Sequence, residues 1–185
     1  AQSESIRLDC QPIQKLLFPK YYPQWSSDKI ITMDWMNGIH LSEYCSTETN
    51  QEKRDIVGQT LWNFYMLQIH QLKKFHADPH PGNFLVDAED NLIAIDFGCM
   101  KEIPQSFYTP YFEISAPETL ANPTLFLAKL YELEILKTSD TPQEIEYFTT
   151  LFHELLSVFT KPIHQDYFDF SDTVFSDEIA QLSEK

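Results

Sequence analysis

The amino-acid sequence predicts an α+β fold that is mostly α-helical. Several stretches repeat apolar residues at helical spacing behind capping residues, which favours helices. Two short apolar runs within residues 84–95 flank a polar, turn-forming stretch, which is typical of an antiparallel hairpin. Residues before Asn37 contain aromatic and proline-bearing segments that we expect to be extended. At 185 residues the chain can bury the core of one domain.

The first long helix is predicted by a capping box, Thr49-x-x-Glu52, which follows a turn signal at Asn37-Gly38. We expect this helix to continue to about Lys74, directly before the loop described below. Its apolar residues recur near helical spacing at Ile56, Leu61, Phe64, Tyr65 and Ile69.

Three more helices are predicted in the second half of the chain. Asn122-Pro123 places a capping residue before a proline at the first helical position, and Thr141-x-x-Glu144 is a second capping box. A short helix is expected after Ser176. The apolar residues that the first two would bury are Leu127, Leu130, Leu133, Ile145, Phe148, Phe152 and Leu155.

The segment HADPHPGN occupies residues 76–83, between the first long helix and the hairpin. Its two prolines fix the backbone and remove hydrogen-bond donors, so the segment is predicted to be a stiff loop. Gly82 permits a sharp turn into Asn83. The loop therefore presents the carboxylate of Asp78 from a rigid backbone.

Asn83 precedes the first strand of the hairpin and Asp96 follows the second, so both are expected at its open end. Cross-strand neighbours lie about 5 Å apart, and an amide oxygen and a carboxylate at that spacing can share one Mg²⁺. A carboxylate at Asp78 beside such a pair suits phosphoryl transfer, which depends mostly on positioning and charge stabilisation.

These residues follow the protein-kinase order H-x-D-x-x-x-x-N, hairpin, D-F-G. The string HADPHPGN followed by DFG at residues 96–98 resembles the UbiB/ADCK-type atypical kinase-like family, and residues 30–38 resemble its hinge strand and turn. The resemblance is strongest over residues 25–98. It implies a protein-kinase-like C-lobe at residues 38–185, preceded at residues 1–37 by the hinge strand and the end of an incomplete N-lobe.

Carried over residue by residue, the resemblance implies a catalytic role for Asp78 and Mg²⁺ ligation by Asn83 and Asp96. It implies that backbone groups of the hinge contact the adenine of ATP, at Asp34, Trp35 and Met36. It implies that a further set of residues orients the loops, namely His76, His80, Gly82, Phe97 and Gly98. ATP and Mg²⁺ are the implied cofactors. Ubiquinone and isoprenoid-lipid biosynthesis is the implied context, with a lipid or a quinone-pathway protein as partner.

Departures from the family pattern keep two alternatives open. No glycine- or alanine-rich phosphate loop, strand-ending lysine or K-x-G-Q motif precedes the hinge, so the chain is expected to begin late in the N-lobe. One alternative is a non-catalytic, pseudokinase-like nucleotide-binding or scaffold domain. The other is a zinc or iron site, because His76, Asp78 and His80 alternate and imidazole suits these metals.

Composition excludes some partners. With 13 basic and 28 acidic residues the net charge is −15, which argues against nucleic-acid binding and against a polybasic membrane patch. Three widely spaced cysteines, Cys10, Cys45 and Cys99, predict reduced thiols. With no signal peptide or transmembrane stretch in the sequence, we expect a cytoplasmic location, peripheral to a membrane only through segments outside this chain.

Overall fold

The computed structural model describes residues 2–183, with side-chain surroundings from residue 4 onward, and about half of the chain is helical. The helices are α1 (Gln2–Asp9), α2 (Leu41–Thr47), α3 (Gln51–Leu67), α4 (Gln105–Ile114), α5 (Pro117–Leu120), α6 (Pro123–Glu132), α7 (Pro142–Phe159) and α8 (Thr173–Ser183). The strands are β1 (Leu16–Leu17), β2 (Ile39–His40), β3 (Lys74–His76), β4 (Phe84–Val86), β5 (Leu92–Ala94) and β6 (Met100–Glu102). The predicted α+β class is confirmed, with helices in about half of the chain.

The chain divides into two compact units, Ala1–Ile103 and Pro104–Lys185. The six strands described above all belong to the first unit, and the described part of the second unit consists of helices and connecting loops. Residues 30–38, the 76–83 loop and the hairpin therefore share one unit. The two-lobe division expected at residue 38 stays a prediction.

The predicted hairpin is confirmed, and it forms the centre of a four-stranded sheet in the order β1-β5-β4-β2. β4 and β5 are antiparallel, with Phe84 opposite Ala94, while β1 pairs with β5 in parallel. All six residues of β4 and β5 are buried. Asp87 closes the turn, since its Oδ1 accepts hydrogen bonds from the backbone N of Glu89 and of Asn91. The buried hairpin is therefore a rigid support for the residues at its two ends.

A second, two-stranded sheet was not predicted from the sequence. β3 and β6 are antiparallel, with His76 opposite Met100. The ladder continues past the strands, because Ala77 N donates to Cys99 O at 2.8 Å. This pairing joins the beginning of the 76–83 loop to the segment that follows Asp96.

Helix α3 begins one residue later than the predicted capping box implies. Asn50, not Thr49, is the cap, and its Oδ1 accepts from Lys53 N at 3.3 Å. The predicted Thr49–Glu52 box is therefore wrong. The helix continues into a π-helical turn, Gln68–Leu72, and the left-handed residue Lys73 (φ 52°) ends it, close to the predicted end.

The core of the first unit lies between helix α3 and the four-stranded sheet. Its buried apolar residues are Ile6, Cys10, Leu16, Tyr44, Val57, Phe64, Phe84, Val86, Leu92, Ala94 and Phe97. The aromatic rings interlock, since Phe64 lies edge-on to Phe84 at 6.3 Å between centroids. The long helix is thereby packed against the strand that begins directly after Asn83.

The extended strands expected before Asn37 are mostly absent. Residues 2–9 form helix α1, and Pro23–Trp25 form a short 3₁₀ turn. Residues 30–38, all of them described, contain no strand, and only isolated bridges pair Tyr21 with Met33 and Ser27 with Ile30. The prediction of a hinge strand over this stretch is wrong. Tyr22 N donates to Thr32 O and Asp34 N donates to Lys20 O, and these two bonds make a single bridge, which is too short to count as a strand.

The second unit contains both predicted helix starts. Asn122 caps α6 by accepting from Leu125 N at 3.1 Å, and Thr141 and Glu144 form the reciprocal capping box of α7. The last helix was predicted after Ser176 and starts earlier, at Thr173. Helices α4 and α5 were not predicted. The core of this unit consists of Ile114, Phe126, Leu130, Leu136 and Leu156.

Within residues 2–183, no helix is both long enough and apolar enough to span a bilayer.

Candidate functional site

The 76–83 loop leaves strand β3 at His76 and ends in a 3₁₀ turn, Pro81–Asn83. His80 caps this turn, because its Nδ1 accepts from Gly82 N at 3.0 Å, and Asn83 N donates to His80 O at 2.9 Å. A Cβ atom on Gly82 would lie 2.9 Å from His80 Nδ1, so only glycine allows this close approach. The side chain of His80 is therefore bonded to the backbone of its own loop.

Asp78 and Asn83 meet across this loop. Asn83 Nδ2 donates to the backbone O of Asp78 at 3.1 Å and lies 3.5 Å from its Oδ2. The side chain of Asp78 is exposed and that of Asn83 is half-buried. Because the amide nitrogen of Asn83 faces Asp78, its amide oxygen lies on the other side of the carboxamide, available to another partner.

Asp96 is brought to the same end of the hairpin as Asn83. Ile95 N donates to Asn83 O at 3.0 Å, which extends the hairpin ladder by one bond beyond β4 and β5. Asp96 Oδ1 accepts from Gly98 N at 2.7 Å, so the carboxylate is oriented by the turn that follows it. The residues at this end offer an amide oxygen and two exposed carboxylates, which are hard oxygen donors of the kind that Mg²⁺ takes.

Phe97 and His76 lie beneath the loop. Phe97 is 6% exposed and its ring contacts Phe18 at 5.5 Å and His76, edge-on, at 6.3 Å. His76 is 2% exposed, and neither of its ring nitrogens has a hydrogen-bond partner among residues 2–183. Its backbone N donates to Gln68 Oε1 at 2.9 Å. Phe97 and His76 therefore occupy core positions under the loop that carries Asp78.

The alternative zinc or iron site is not assembled. His76 is buried under the loop, whereas His80 is exposed and bonded to Gly82. Over residues 2–183, no group of three or more histidine, cysteine, aspartate or glutamate side chains is placed to hold a metal ion. The alternation His76, Asp78, His80 in the sequence does not bring these side chains to one point.

Asp34 is hydrogen-bonded to two residues that precede it closely in the sequence. Tyr22 Oη donates to Asp34 Oδ1 at 2.7 Å, and Asp34 N donates to Lys20 O at 2.9 Å. This hydrogen bond from Tyr22, more than burial or the charge of Asp34, raises the pKa of Tyr22. The backbone N–H of Asp34 is thus already paired, so only its carbonyl and the backbone of Trp35 and Met36 remain as candidates for the predicted adenine contacts.

Trp35 and Met36 border an open cavity of about 800 Å³ on the turn side of the hairpin. Trp35 is 87% exposed at its rim. Lys53 also lines the cavity and is ion-paired with Asp90 at 3.3 Å and with Glu48 at 3.9 Å. The described lining does not include the residues with predicted catalytic and metal roles, Asp78, Asn83 and Asp96. The structure therefore places the predicted adenine contacts beside a cavity distinct from the 76–83 loop.

Two residues of helix α3 and its π-helical turn lie close to the loop and were not predicted to belong to the site. Gln68 is completely buried and binds the backbone of His76. Tyr65 packs on Phe84 at 6.5 Å. Burial, and secondarily the charge of Asp78, raises the pKa of Tyr65 to about 12. One signal was present in the sequence: Gln68 is a polar residue four positions after Phe64, on the face of the helix that the apolar residues occupy.

Comparison with known proteins places these residues in a family context. A sequence model described as the ABC1 atypical kinase-like domain matches residues 1–119. The chain is 30% identical over 101 residues to "Protein ACTIVITY OF BC1 COMPLEX KINASE 7, chloroplastic" of Arabidopsis thaliana, covering 55% of this chain and 14% of that protein. It is 24% identical over 119 residues to "Atypical kinase COQ8B, mitochondrial" of Danio rerio, covering 64% of this chain and 19% of that protein. The matches thus span less than a fifth of either relative.

Among solved structures, the chain is similar to Rv3197 of Mycobacterium tuberculosis, solved as a complex with erythromycin. The TM-score is 0.70 at 20% sequence identity, and the match covers 95% of this chain and 43% of that one. At this level of identity the likeness shows a shared fold.

Proposed function

The chain belongs to the ABC1 atypical kinase-like family, and we propose that it carries an ATP–Mg²⁺ site for ATP hydrolysis or phosphoryl transfer. The observation that carries the proposal is the junction of the 76–83 loop with the open end of the hairpin. There Asn83 is hydrogen-bonded both to Asp78 and, through its backbone, to the residue before Asp96.

In this proposal each of the three side chains has one task. Asn83, through its amide oxygen, and Asp96, through its carboxylate, would hold Mg²⁺, which neutralises phosphate charge when bound. Asp78 orients the attacking hydroxyl or water, or accepts its proton at the carboxylate. Since the amide of Asn83 bonds the backbone of Asp78, one proposed metal ligand holds the loop that carries the proposed base.

We propose that the choice of phosphoryl acceptor depends on the second unit of the chain. It would also depend on the parts of the longer relatives that lie outside the matched regions. The relatives named above are five to seven times longer than the matched regions. We propose a lipid or a quinone-pathway protein as partner, on the basis of the relationship to the COQ8B kinase. This partner would place the chain at the surface of a membrane, held there by other segments.

A second candidate function is a non-catalytic nucleotide-binding or scaffold domain. It is supported by the cavity beside Trp35 and Met36, which does not reach the described catalytic-loop residues. A ligand confined to that cavity would bind without contacting Asp78.

Calorimetric titration of Mg-ATP and Mg-ADP into the chain tests the proposal. Asp96→Asn is expected to weaken binding by at least about tenfold, because it removes a charged Mg²⁺ ligand. Asp28→Asn is the matched control, since it makes the same change at an exposed position of the same unit. Equal affinity in Asp96→Asn and wild type would contradict the metal assignment. Binding that is lost in Trp35→Ala but kept in Asp96→Asn would favour the second candidate.

A further inference from the structure

The hydroxyl of Tyr65 is a buried donor beside the 76–83 loop. The ring lies in helix α3 between the rings of Phe64, at 5.7 Å, and Phe84, at 6.5 Å. Its Oη is fully buried, and no atom in the described part of the chain accepts a hydrogen bond from it. A buried hydroxyl without an acceptor lowers the stability of a fold, and native structures rarely leave one.

The contacts around Tyr65 lead to Asp78 as an acceptor: the Tyr65 ring packs on Phe84, and the preceding residue, Asn83, bonds Asp78 through its side-chain amide. Its charge acts on the Tyr65 phenol, where it supports the effect of burial in raising the pKa to about 12. The carboxylate of Asp78 has acceptor capacity left, since Oδ2 receives only a long contact of 3.5 Å from Asn83 Nδ2. Asp78 is exposed, so its side chain is free to rotate toward the loop interior.

We propose that Tyr65 is a positioning residue for Asp78, with its hydroxyl donating a hydrogen bond to the Asp78 carboxylate. The assignment deepens the proposed function, on which its catalytic meaning rests. Asn83 holds the backbone carbonyl of Asp78, while Tyr65 holds the carboxylate from the helix side. These two contacts would limit the rotation of the carboxylate. A base in phosphoryl transfer requires such a fixed orientation.

The test observes the hydroxyl by NMR in the whole chain. Tyrosine labelled with ¹³C at Cζ gives one signal per residue, and Tyr65→Phe assigns the signal of Tyr65. Asp78→Ala removes the acceptor and is expected to shift that signal by more than its linewidth. The matched control is the pair Tyr22–Asp34, whose hydrogen bond of 2.7 Å is present in the structure, so Asp34→Ala should shift the Tyr22 signal and not that of Tyr65.

A second measurement uses stability. If the hydroxyl is bonded to Asp78, Tyr65→Phe lowers the melting temperature by about 2–4 °C, whereas loss of an unbonded buried hydroxyl leaves it unchanged or raises it. Tyr167→Phe, at a side chain that is 78% exposed, is the control for removing a hydroxyl. A Tyr65 signal that stays in place in Asp78→Ala, or a melting temperature that does not fall in Tyr65→Phe, overturns the assignment. Neither measurement requires nucleotide binding. The hydrogen bond is therefore tested independently of the proposed ATP–Mg²⁺ site, and failure of one proposal can be told from failure of the other.

Discussion

The side-chain amide of Gln68 bonds His76 to helix α3: Oε1 accepts from His76 N at 2.9 Å, and Nε2 donates to Phe64 O at 3.2 Å. Gln68 is completely buried in the π-helical turn that follows α3. A π-helical turn contains one residue more than an α-helical turn. Some backbone groups therefore lack a partner within the helix and can bond side chains instead. One buried amide thus links the long helix to the first residue of the 76–83 loop.

Replacing Gln68 with Ala is expected to lower the free energy of unfolding by about 1–3 kcal/mol, because the buried N–H of His76 loses its acceptor. Urea denaturation measures the change. Gln71→Ala, at an exposed position of the same turn, should stay within about 0.5 kcal/mol of wild type. Equal losses in the two variants would show that the link between Gln68 and His76 does not stabilise the fold.

Replacing Asp78 with Asn is expected to slow ATP turnover by about 10²–10⁴-fold, the usual scale of general-base catalysis, while the affinity for Mg-ATP is kept. The amide preserves size and hydrogen bonding but does not accept a proton. Steady-state phosphate release and calorimetric affinity separate the two effects, with Asp28→Asn as the control. Near-normal turnover in Asp78→Asn would exclude this carboxylate as the base.

The three cysteines are expected to differ in reactivity. Burial, and secondarily the charge of Asp9, raises the pKa of Cys10 to about 12, whereas Cys45 and Cys99 are exposed. Iodoacetamide at pH 8 should therefore modify Cys45 and Cys99 in the folded chain and all three in urea, as read by mass spectrometry. Rapid modification of Cys10 without denaturant would contradict its position in the core.

The same shift has a consequence for stability in alkali. The pKa of Cys10 is raised from 9.0 to about 12, so the folded state holds its proton more tightly than the unfolded state. Its contribution to stability is complete below pH 9 and is lost as the pH rises toward 12. Cys10→Ala should make the melting temperature less sensitive to pH over this range, with Cys45→Ala as the control for removing a thiol.

The capping box of α7 predicts an effect at acid pH. Hydrogen bonds from the backbone N and the hydroxyl of Thr141 lower the pKa of Glu144 below 4.5. A lowered pKa stabilises the fold above the unfolded value, and this stabilisation is lost as the pH falls through the folded value. The difference in melting temperature between wild type and Glu144→Gln should therefore shrink below pH 4.5. Glu146→Gln, at an exposed position two residues further along α7, is the control for removing a surface carboxylate.

Local signals in the sequence predicted the elements that depend on local chemistry. The helix starts at Asn122 and Thr141 rest on side chains that bond backbone groups three residues away, so tertiary contacts are not needed to specify them. The hairpin of β4 and β5 was predictable for the same reason, because the turn at Asp87 closes on itself. Thr49 is not the cap, because the side chain of the next residue, Asn50, accepts the capping hydrogen bond from Lys53 N.

Other elements had no local signal. Helix α4 contains Pro110, which argues against a helix when the sequence is considered alone. Strands β3 and β6 are three residues each and carry charges at Lys74 and Glu102, which face each other as an ion pair of 3.2 Å. Their pairing joins segments more than twenty residues apart, so it is decided only when the chain is folded.

The sequence by itself determined the chemistry of the candidate site: a carboxylate at Asp78, on a loop stiffened by prolines, next to Asn83 and Asp96 at the open end of a hairpin. Each of these features is specified by residues that are close together in the sequence. Tertiary structure alone decided what lies beneath the loop, where Gln68 bonds the backbone of His76 and Tyr65 packs on Phe84. Burial is a property of the whole fold, because it depends on which distant surfaces pack together, and spacing along the chain does not encode it.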